Sequence, residues 1–340
     1  VKLFFSDLFP NQLAQVGSNL EKFSGLDFPI AGSFSTNFDN PSNIKKIEFE
    51  LTASGGNVSL RDFVGLAAEY NVTEARISGQ ISPENLEISL QNIEGKIDGV
   101  NIYGSASLTN LQMDPHFNAA FTAVKIPMGL LSKFWPKNIA EGTKSWVLDN
   151  VQGGVIDSAS AYIDFFESDL KGGNLGRDQF FGQFEISNTS VEYIEGLPPA
   201  RSITAQGWFD GIDLHIGIEN GKILNQEISG TTIDFLDVYT GREIGVLELQ
   251  SSGPLSDFLS IPNFSTSPTS RFLARNVQDI EGYSEAKFTV QFPLIKGLAV
   301  KHLAAEGELI FSDLSLSLSE TNIWKEEFNI SNGTGTIVLG

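Results

Sequence analysis

Three histidines, His116, His215 and His302, are the side chains best suited to proton transfer or metal binding near neutral pH. A helical metal site needs a second ligand at a spacing such as i+4, and none of the three has one. His215 occupies an outward position of a predicted strand. We therefore interpret all three as ordinary surface or edge residues.

Carboxylates are the second group that could do chemistry, and Asp164, Glu167 and Asp169 cluster around Phe165 and Phe166. Hydrolysis of a glycoside needs two carboxylates a few ångströms apart in a cleft, and proximity in sequence does not place them so. We interpret these three as solvated loop charges.

The sequence contains none of the common catalytic signatures: no G-x-S-x-G, no G-x-x-x-x-G-K-[ST], no H-E-x-x-H and no EF-hand pattern. The glycine-rich run at 172–176 opens no convincing helix, so it predicts a turn and not a phosphate site. We predict a protein that is not an enzyme and needs neither a metal nor a cofactor.

The composition narrows the function further. The chain carries 42 Asp and Glu against 22 Lys and Arg, a net charge of −20, which argues against nucleic acid as a partner and against an anionic membrane surface. Cysteine is absent, so disulfides and thiolate zinc sites are excluded. Phe supplies 26 residues, Tyr 6 and Trp 4, which indicates apolar surface that needs no hydrogen-bond partner.

No run of about 18 apolar residues occurs, and the first residues lack the basic stretch and cleavage site of a signal peptide. The final residues, GTGTIVLG, look like an unfinished strand. We expect a chain that is soluble as given. A cytosolic protein is the plainer interpretation, and an excised part of a larger exported protein is the one that we favour.

Apolar and polar residues alternate with period two along most of the chain, which predicts half-buried strands. Turn signals at 54–57, 210–211, 220–221 and 332–333 separate these strands, as an antiparallel meander requires. Gly79, Gly207 and Gly307 each stand seven residues before an alternating triplet, which indicates a weak repeat. We predict that the triplets face one apolar lining, although their mutual register does not follow from the sequence: Leu86, Ile88, Leu90, Leu214, Ile216, Ile218, Phe288, Val290, Phe292, Leu314, Leu316 and Leu318.

Two helices interrupt the strands. The first is predicted from Pro10 to Phe23, and the second from about Ile139 to Val151, with a further turn between 126 and 134. Trp135 and Trp146 flank or belong to the second helix. Packing against the sheet is the plainer interpretation of both, and a role as plug or gate of a groove is the alternative.

The passage from Phe134 to Gly154, FWPKNIAEGTKSWVLDNVQGG, joins a proline, a helix with Trp, a Gly-Gly exit and a strand. It resembles the helical segment of the AsmA-like proteins of YhdP type. The similarity extends to Phe4–Phe9, to Gly25–Leu60 and to the strands after Gly154.

This resemblance implies an elongated, curled antiparallel sheet that forms an open apolar groove, with short helices near 10–24 and 127–151. It implies a β-groove segment at 1–125, a helical insert at 126–154 and a continuing groove at 155–340. The implied function is transfer of glycerophospholipid between inner and outer membrane, in the periplasm, by a protein whose inner-membrane anchor lies outside this chain. The implied partners are phospholipid acyl chains and the two membranes.

Two other classes stay open. A structural or adhesive extracellular β-solenoid would also alternate and also be acidic, but its apolar stripe would form a closed, dry core without lipid. A polysaccharide-active β-rich enzyme is disfavoured by the missing catalytic constellation.

An elongated particle is the first testable expectation. With about 12 residues per strand and turn and about 4.8 Å between strands, a meander of this length extends on the order of 130 Å. Small-angle scattering should give a radius of gyration well above the value of about 20 Å that a globular chain of this length has. A globular value would contradict the groove.

Overall fold

The computed structural model describes residues 1–13, 24–37, 44–59, 69–135, 141–169, 178–194, 196–238, 244–260, 277–295, 297–318 and 328–339. Within these ranges the chain is mainly β and antiparallel, as predicted. It divides into two units, each described here by itself. The first unit comprises 1–141, 156–184 and 208–212, and the second comprises 142–155, 185–207 and 213–340. The predicted insert at 126–154 therefore contributes to both units.

The strands up to residue 166 are β1 Lys2–Leu8, β2 Leu26–Asp27, β3 Ile30–Ser35, β4 Ile47–Ser59, β5 Glu69–Ser82, β6 Glu87–Ile97, β7 Val100–Thr109, β8 His116–Pro127, β9 Val151–Gln152 and β10 Val155–Phe166. The later strands are β11 Phe180–Val191, β12 Ala200–Phe209, β13 Leu214–Ile223, β14 Gln226–Glu227, β15 Thr232–Leu236, β16 Ile244–Pro254, β17 Val277–Pro293, β18 Ala304–Leu318 and β19 Phe328–Leu339.

The helices of the described residues are short: α1 Pro10–Leu13, α2 Leu131–Phe134, α3 Glu141–Asn150 and α4 Leu255–Ser260, with 3-10 turns at Met128–Leu130 and Val300–His302. The helix predicted at 10–23 begins at Pro10, and its residues 14–23 lie outside the described ranges. The helix predicted at 139–151 is α3, and the turn predicted before it is the 3-10 turn with α2.

In the first unit, antiparallel ladders join β1 to β3, β3 to β4, and then each strand to the next as far as β8, with β10 on the far side of β8. Directly paired residues share one side of a sheet, so the printed register sorts the side chains into two faces. The central rung pairs Phe34 with Phe49, Phe49 with Gly79, Gly79 with Leu90 and Leu90 with Ala106. One face is thus apolar and the other polar.

Bulges at neighbouring positions of β4 and β5 keep the apolar side chains on one face along these long strands. Ser54 and Gly55 on β4 are both exposed, Gly55 has φ +69°, and the β5–β6 register shifts between Val72 and Glu74. A bulge moves the following side chains to the other face. Because the bulges lie on neighbouring strands, Val58, beyond the bulge, still packs with Val72 and the other apolar side chains of its cluster.

In the second unit the ladders run from β13 through β15, β16, β17 and β18 to β19, and the short β14 pairs with β13 and β16. Here too the register separates the faces. Ile216 pairs with Ile233, Ile233 with Leu247, Leu247 with Val290 and Val290 with Ala305, which forms one apolar rung across five strands.

Three of the four predicted turns are wrong, because residues 54–57, 220–221 and 332–333 lie inside β4, β13 and β19. Their glycines serve other purposes. Gly55 forms the bulge, and a Cβ on Gly221 would lie 3.1 Å from Ile228 and 3.3 Å from Ile203. The turn after β13 instead uses Leu224, with φ +56°. Residues 210–211 do lie between β12 and β13, as predicted.

In several places a phenylalanine ring packs over a glycine on the neighbouring strand. Five cross-strand pairs place a phenylalanine directly opposite a glycine: Phe49 with Gly79, Phe121 with Gly104, Phe292 with Gly245, Phe288 with Gly307, and Phe311 with Gly335. In each pair the ring occupies the space that a glycine Cβ would take. The rings therefore lie over the sheet and cover its backbone.

Filling this space should destabilise the first unit. A Cβ at Gly79 would lie 2.9 Å from the Phe49 ring and closer still to the Ser89 carbonyl oxygen, whereas a Cβ at Gly95 would lie 3.4 Å from its nearest atom. We expect Gly79→Ala to cost about 1–3 kcal/mol of unfolding free energy through overpacking. The control Gly95→Ala should be neutral or slightly stabilising. Urea denaturation measures the unfolding free energy of both variants. Equal losses in the two would contradict the idea that the Phe49 ring needs the space above Gly79.

Candidate functional site

The first candidate site is the apolar face of the first unit. A second rung runs parallel to the central one, from Phe5 through Gly32, Leu51, Ile77, Ile93 and Gly104 to Phe121. A third rung consists largely of small residues, namely Ala53, Ala75, Gly95, Ile102 and Ala123. Most of these side chains are half-buried, and Leu3 at the edge is 65 % exposed.

One end of this face is covered by α2. The ring of Phe134 packs at a tilt of 40° and 5.5 Å from the ring of Tyr70, which is 1 % exposed, and the Tyr70 hydroxyl donates to the Lys133 carbonyl at 2.6 Å. Lys133 Nζ lies 2.5 Å from the Asp98 carboxylate. Burial, with a smaller contribution from Asp98, raises the pKa of the Tyr70 phenol. The contacts hold α2 over the end formed by Val58, Tyr70 and Val72.

The second unit carries its own apolar face, which is drier. Ile218 and Ile203 lie in a buried cluster against which Tyr193 packs, and burial raises the pKa of Tyr193 to about 12. Leu255 of α4 is 3 % exposed and packs with Phe288 and Leu309. This face therefore combines dry clusters with half-buried positions such as Val290 and Phe292.

The predicted lining residues fall as follows. In the first unit, Ile88 and Leu90 lie on the apolar face, but Leu86 does not begin the strand, because it lies in the turn before β6 with φ +52°. In the second unit the register places these residues on one apolar face: Leu214, Ile216, Ile218, Phe288, Val290 and Phe292.

The last triplet is only partly described. Leu314 packs on the cluster around Phe288 after a register shift at Asp313, which has φ +54°. The backbones of Leu316 and Leu318 pair with Ile330 and Phe328 on β19, and their side chains lie outside the described part of the chain.

The two tryptophans occupy different units. Trp146 of α3 lies 5.9 Å from the ring of Phe235, which is 2 % exposed, and Phe235 meets Phe292 edge to face at 6.4 Å. Trp135 follows α2 in the first unit, and its backbone N–H donates to the Leu131 carbonyl at 2.9 Å. Trp146 thus packs on the sheet, and its role as plug or gate stays a prediction, as does that of Trp135.

The polar face of the first unit contains a hydrogen-bond network that corrects the loop interpretation of Asp164. This residue lies on β10, where its carboxylate is 2.5 Å from His116 Nε2 and accepts hydrogen bonds from Tyr162 and Asn118, each at 2.9 Å. These partners, led by His116 and then Tyr162, hold the pKa of Asp164 below its usual value of 3.8. Asp169 instead accepts from the Phe166 backbone N–H at 2.8 Å.

The other histidines also have local partners. His215 Nδ1 lies 2.7 Å from the Asp234 carboxylate on the neighbouring strand, and His302 Nδ1 accepts from the Ala299 backbone N–H at 3.1 Å. The residues of the predicted carboxylate cluster do not converge on one cleft, since Asp164 and Asp169 serve separate contacts. The opposite positions of His116 and Asp164 on paired strands were not visible in the sequence, because 48 residues separate them.

No protein-family model, curated protein or solved structure matches this chain. Among the residues that the structure describes, none of the helices has the length and apolar character needed to cross a membrane.

The Asp164 network should make stability depend on pH. Because the pKa of Asp164 is lower in the folded chain, its hydrogen bonds stabilise the fold above the unfolded pKa of about 4, and this stability is lost as pH falls through the folded pKa. We expect Asp164→Asn to cost about 1 kcal/mol at pH 6, after allowance for solvent screening.

The difference between Asp164→Asn and the unaltered chain should shrink between pH 5 and pH 3 in urea titrations. Glu74→Gln, at an exposed position of the polar face, serves as the control and should change stability by less than about 0.5 kcal/mol. A pH-independent difference for Asp164→Asn would show that its carboxylate charge is not what the network uses.

Proposed function

We propose that this chain carries phospholipid acyl chains on the apolar faces of its sheets, as a non-catalytic lipid transfer protein. The observation that supports this most is the apolar face of the first unit, where seven paired strands present rungs with half-buried side chains such as Leu51, Ile77 and Ile93. Among the described residues, α2 packs at one end of that face. A closed sandwich would instead bury such a face against a second sheet.

The energetics favour lipid as the occupant. Covering hydrocarbon is worth about 0.8 kcal/mol per CH₂, so an acyl chain of about sixteen carbons faces roughly 12 kcal/mol when it is drawn bare through water. The half-buried side chains of the face would be covered at the same time. One contact therefore removes two exposed apolar surfaces.

The dimensions of the first unit suit this cargo. Seven strands spaced by about 4.8 Å span on the order of 30 Å, which exceeds the acyl thickness of one leaflet, about 15 Å. The Phe-over-Gly pairs cover the backbone amides of the face at Gly79 and Gly104, so a passing chain meets ring and aliphatic carbon. A continuous hydrocarbon track is what sliding of a lipid tail requires.

The resemblance to AsmA-like proteins of YhdP type, carried by residues 134–154, supports a placement for this activity. In this proposal the chain is a periplasmic part of an inner-membrane-anchored protein, and it passes glycerophospholipid between inner and outer membrane. Headgroups would stay in water beside the face while the tails lie on it.

Substitutions on adjacent residues of β7 test the proposal. Ile102 lies on the apolar face between Gly95 and Ala123, and Asn101 points to the other face. Both Ile102→Asp and Asn101→Asp add one carboxylate. We expect Ile102→Asp to reduce bound lipid at least tenfold, because the charge interrupts the hydrocarbon surface. Asn101→Asp should bind as the unaltered chain does.

The measurement is native mass spectrometry after incubation with vesicles of zwitterionic palmitoyl-oleoyl-phosphatidylcholine, with thermal unfolding in parallel. A folded Ile102→Asp chain that binds lipid normally would sink the proposal, as would an unaltered chain that takes up none. Loss of the fold in Ile102→Asp would indicate a closed, dry core at this position and so favour the solenoid alternative.

A further inference from the structure

Among the described residues, Phe4 is exposed at the β1 edge of the polar face of the first unit, and a separate group of five exposed aromatic side chains lies toward the other edge of that face, on the side of the sheet away from the proposed lipid surface. They form the aromatic platform, and each is between 40 % and 46 % exposed: Tyr103, Tyr162, Phe166, Phe181 and Trp208. Solvent-exposed rings of this size mark an interaction surface when they cluster on one face.

The strand contacts place these rings on one side of the sheet. Tyr103 pairs directly with Thr122, whose hydroxyl lies 2.9 Å from that of Ser160 on β10. Tyr162 and Phe166 follow Ser160 at intervals of two and six residues on the same strand. All three therefore lie on the polar face, and alternation along β10 separates Tyr162 from Phe166 by about 13 Å.

Contacts of β11 and β12 give the positions of the other two rings, Phe181 and Trp208. The Asp164 backbone N–H donates to the Gln179 carbonyl, so Phe181, two residues later, lies beside Tyr162 on the same face. The rings of Phe180 and Phe209 meet at 5.4 Å. Their neighbours Phe181 and Trp208 point to the opposite side, because successive side chains alternate.

The centre of the platform is held rigid. The Tyr162 hydroxyl accepts a hydrogen bond from Asn118 at 2.8 Å and donates one to Asp164 at 2.9 Å, so the phenol leans along the strand. Phe166 stacks on His116 at 4.4 Å and 19°, and His116 is bound to the same carboxylate. A ligand would not have to order these side chains, and this lowers the entropic cost of binding.

Small and hydrogen-bonding residues fill the space between the rings. On β7 and β8, Ser105 pairs with Ala120 and Ser107 pairs with Asn118. The surface thus alternates flat aromatic rings with hydroxyl and amide groups. A pyranose sugar has the complementary chemistry, since its C–H faces stack on aromatic rings while its hydroxyls hydrogen-bond at the edge.

We propose that this face binds a neutral glycan of linked pyranose units, with Tyr162 and Phe181 as the central stacking residues. The carboxylate of Asp164 and the net charge of −20 disfavour an anionic glycan or an anionic membrane. The separation of the rings by serines differs from the contiguous, fully desolvated centre of a protein interface. This binding is additional to lipid transfer and uses the other face.

Isothermal titration calorimetry tests the proposal with three soluble probes: cellohexaose, the β-1,4-linked N-acetylglucosamine hexamer, and maltohexaose. We expect at least one of them to bind, and Tyr162→Ala and Phe181→Ala each to weaken it by about tenfold or more through loss of stacking. Tyr283→Ala is the matched control, because Tyr283 is 45 % exposed on the polar face of the second unit. It should bind as the unaltered chain does.

Failure to bind any of the three probes at millimolar concentration would overturn the proposal. So would binding that both Tyr162→Ala and Phe181→Ala retain while their melting temperatures stay unchanged. If sedimentation instead shows that these variants lose self-association or vesicle binding and no glycan binds, the face serves a second copy or a membrane. Lipid uptake by the same variants should remain intact, which separates this test from that of lipid transfer.

Discussion

The structure depends on the strict sorting of side chains to two faces of antiparallel sheets. Many direct pairs join residues of like character, such as Leu51 with Ile77 on one side and Glu50 with Ser78 on the other. A slip of one residue would exchange the faces. The bulges at Gly55 and near Thr73 therefore occur together, since an unmatched bulge would put polar groups on the apolar side.

Pairs of phenylalanine and glycine allow one sheet to keep an apolar face without a second layer of protein. A ring that lies on a glycine covers the backbone of the next strand without a second layer of protein, as Phe49 does over Gly79. The apolar surface therefore has its backbone covered by aromatic rings, while its side chains stay partly exposed to solvent. In the proposed lipid transfer this surface would receive the acyl chains, while the dry clusters around Ile218 and Leu255 supply fixed packing.

The wrong turn predictions share one cause: glycine has several uses that a sequence does not distinguish. Residues 220–221 looked like a turn, but Gly221 lies within a strand where Ile228 needs its space. The supposed repeat fails for the same reason. Gly307 and Leu314 lie on one strand, whereas Gly79 and Leu86 lie on a strand and in the turn after it.

The sequence by itself determined the mainly antiparallel β architecture, the helix at 141–150 and the apolar side of most strands, because alternation is a local property of consecutive residues. Only the tertiary structure decided which strands pair and in which register. That choice joins Gly104 to Phe121, His116 to Asp164 and Ile233 to Leu247. Pairing depends on contacts between residues distant in sequence, and a single sequence carries no signal for them.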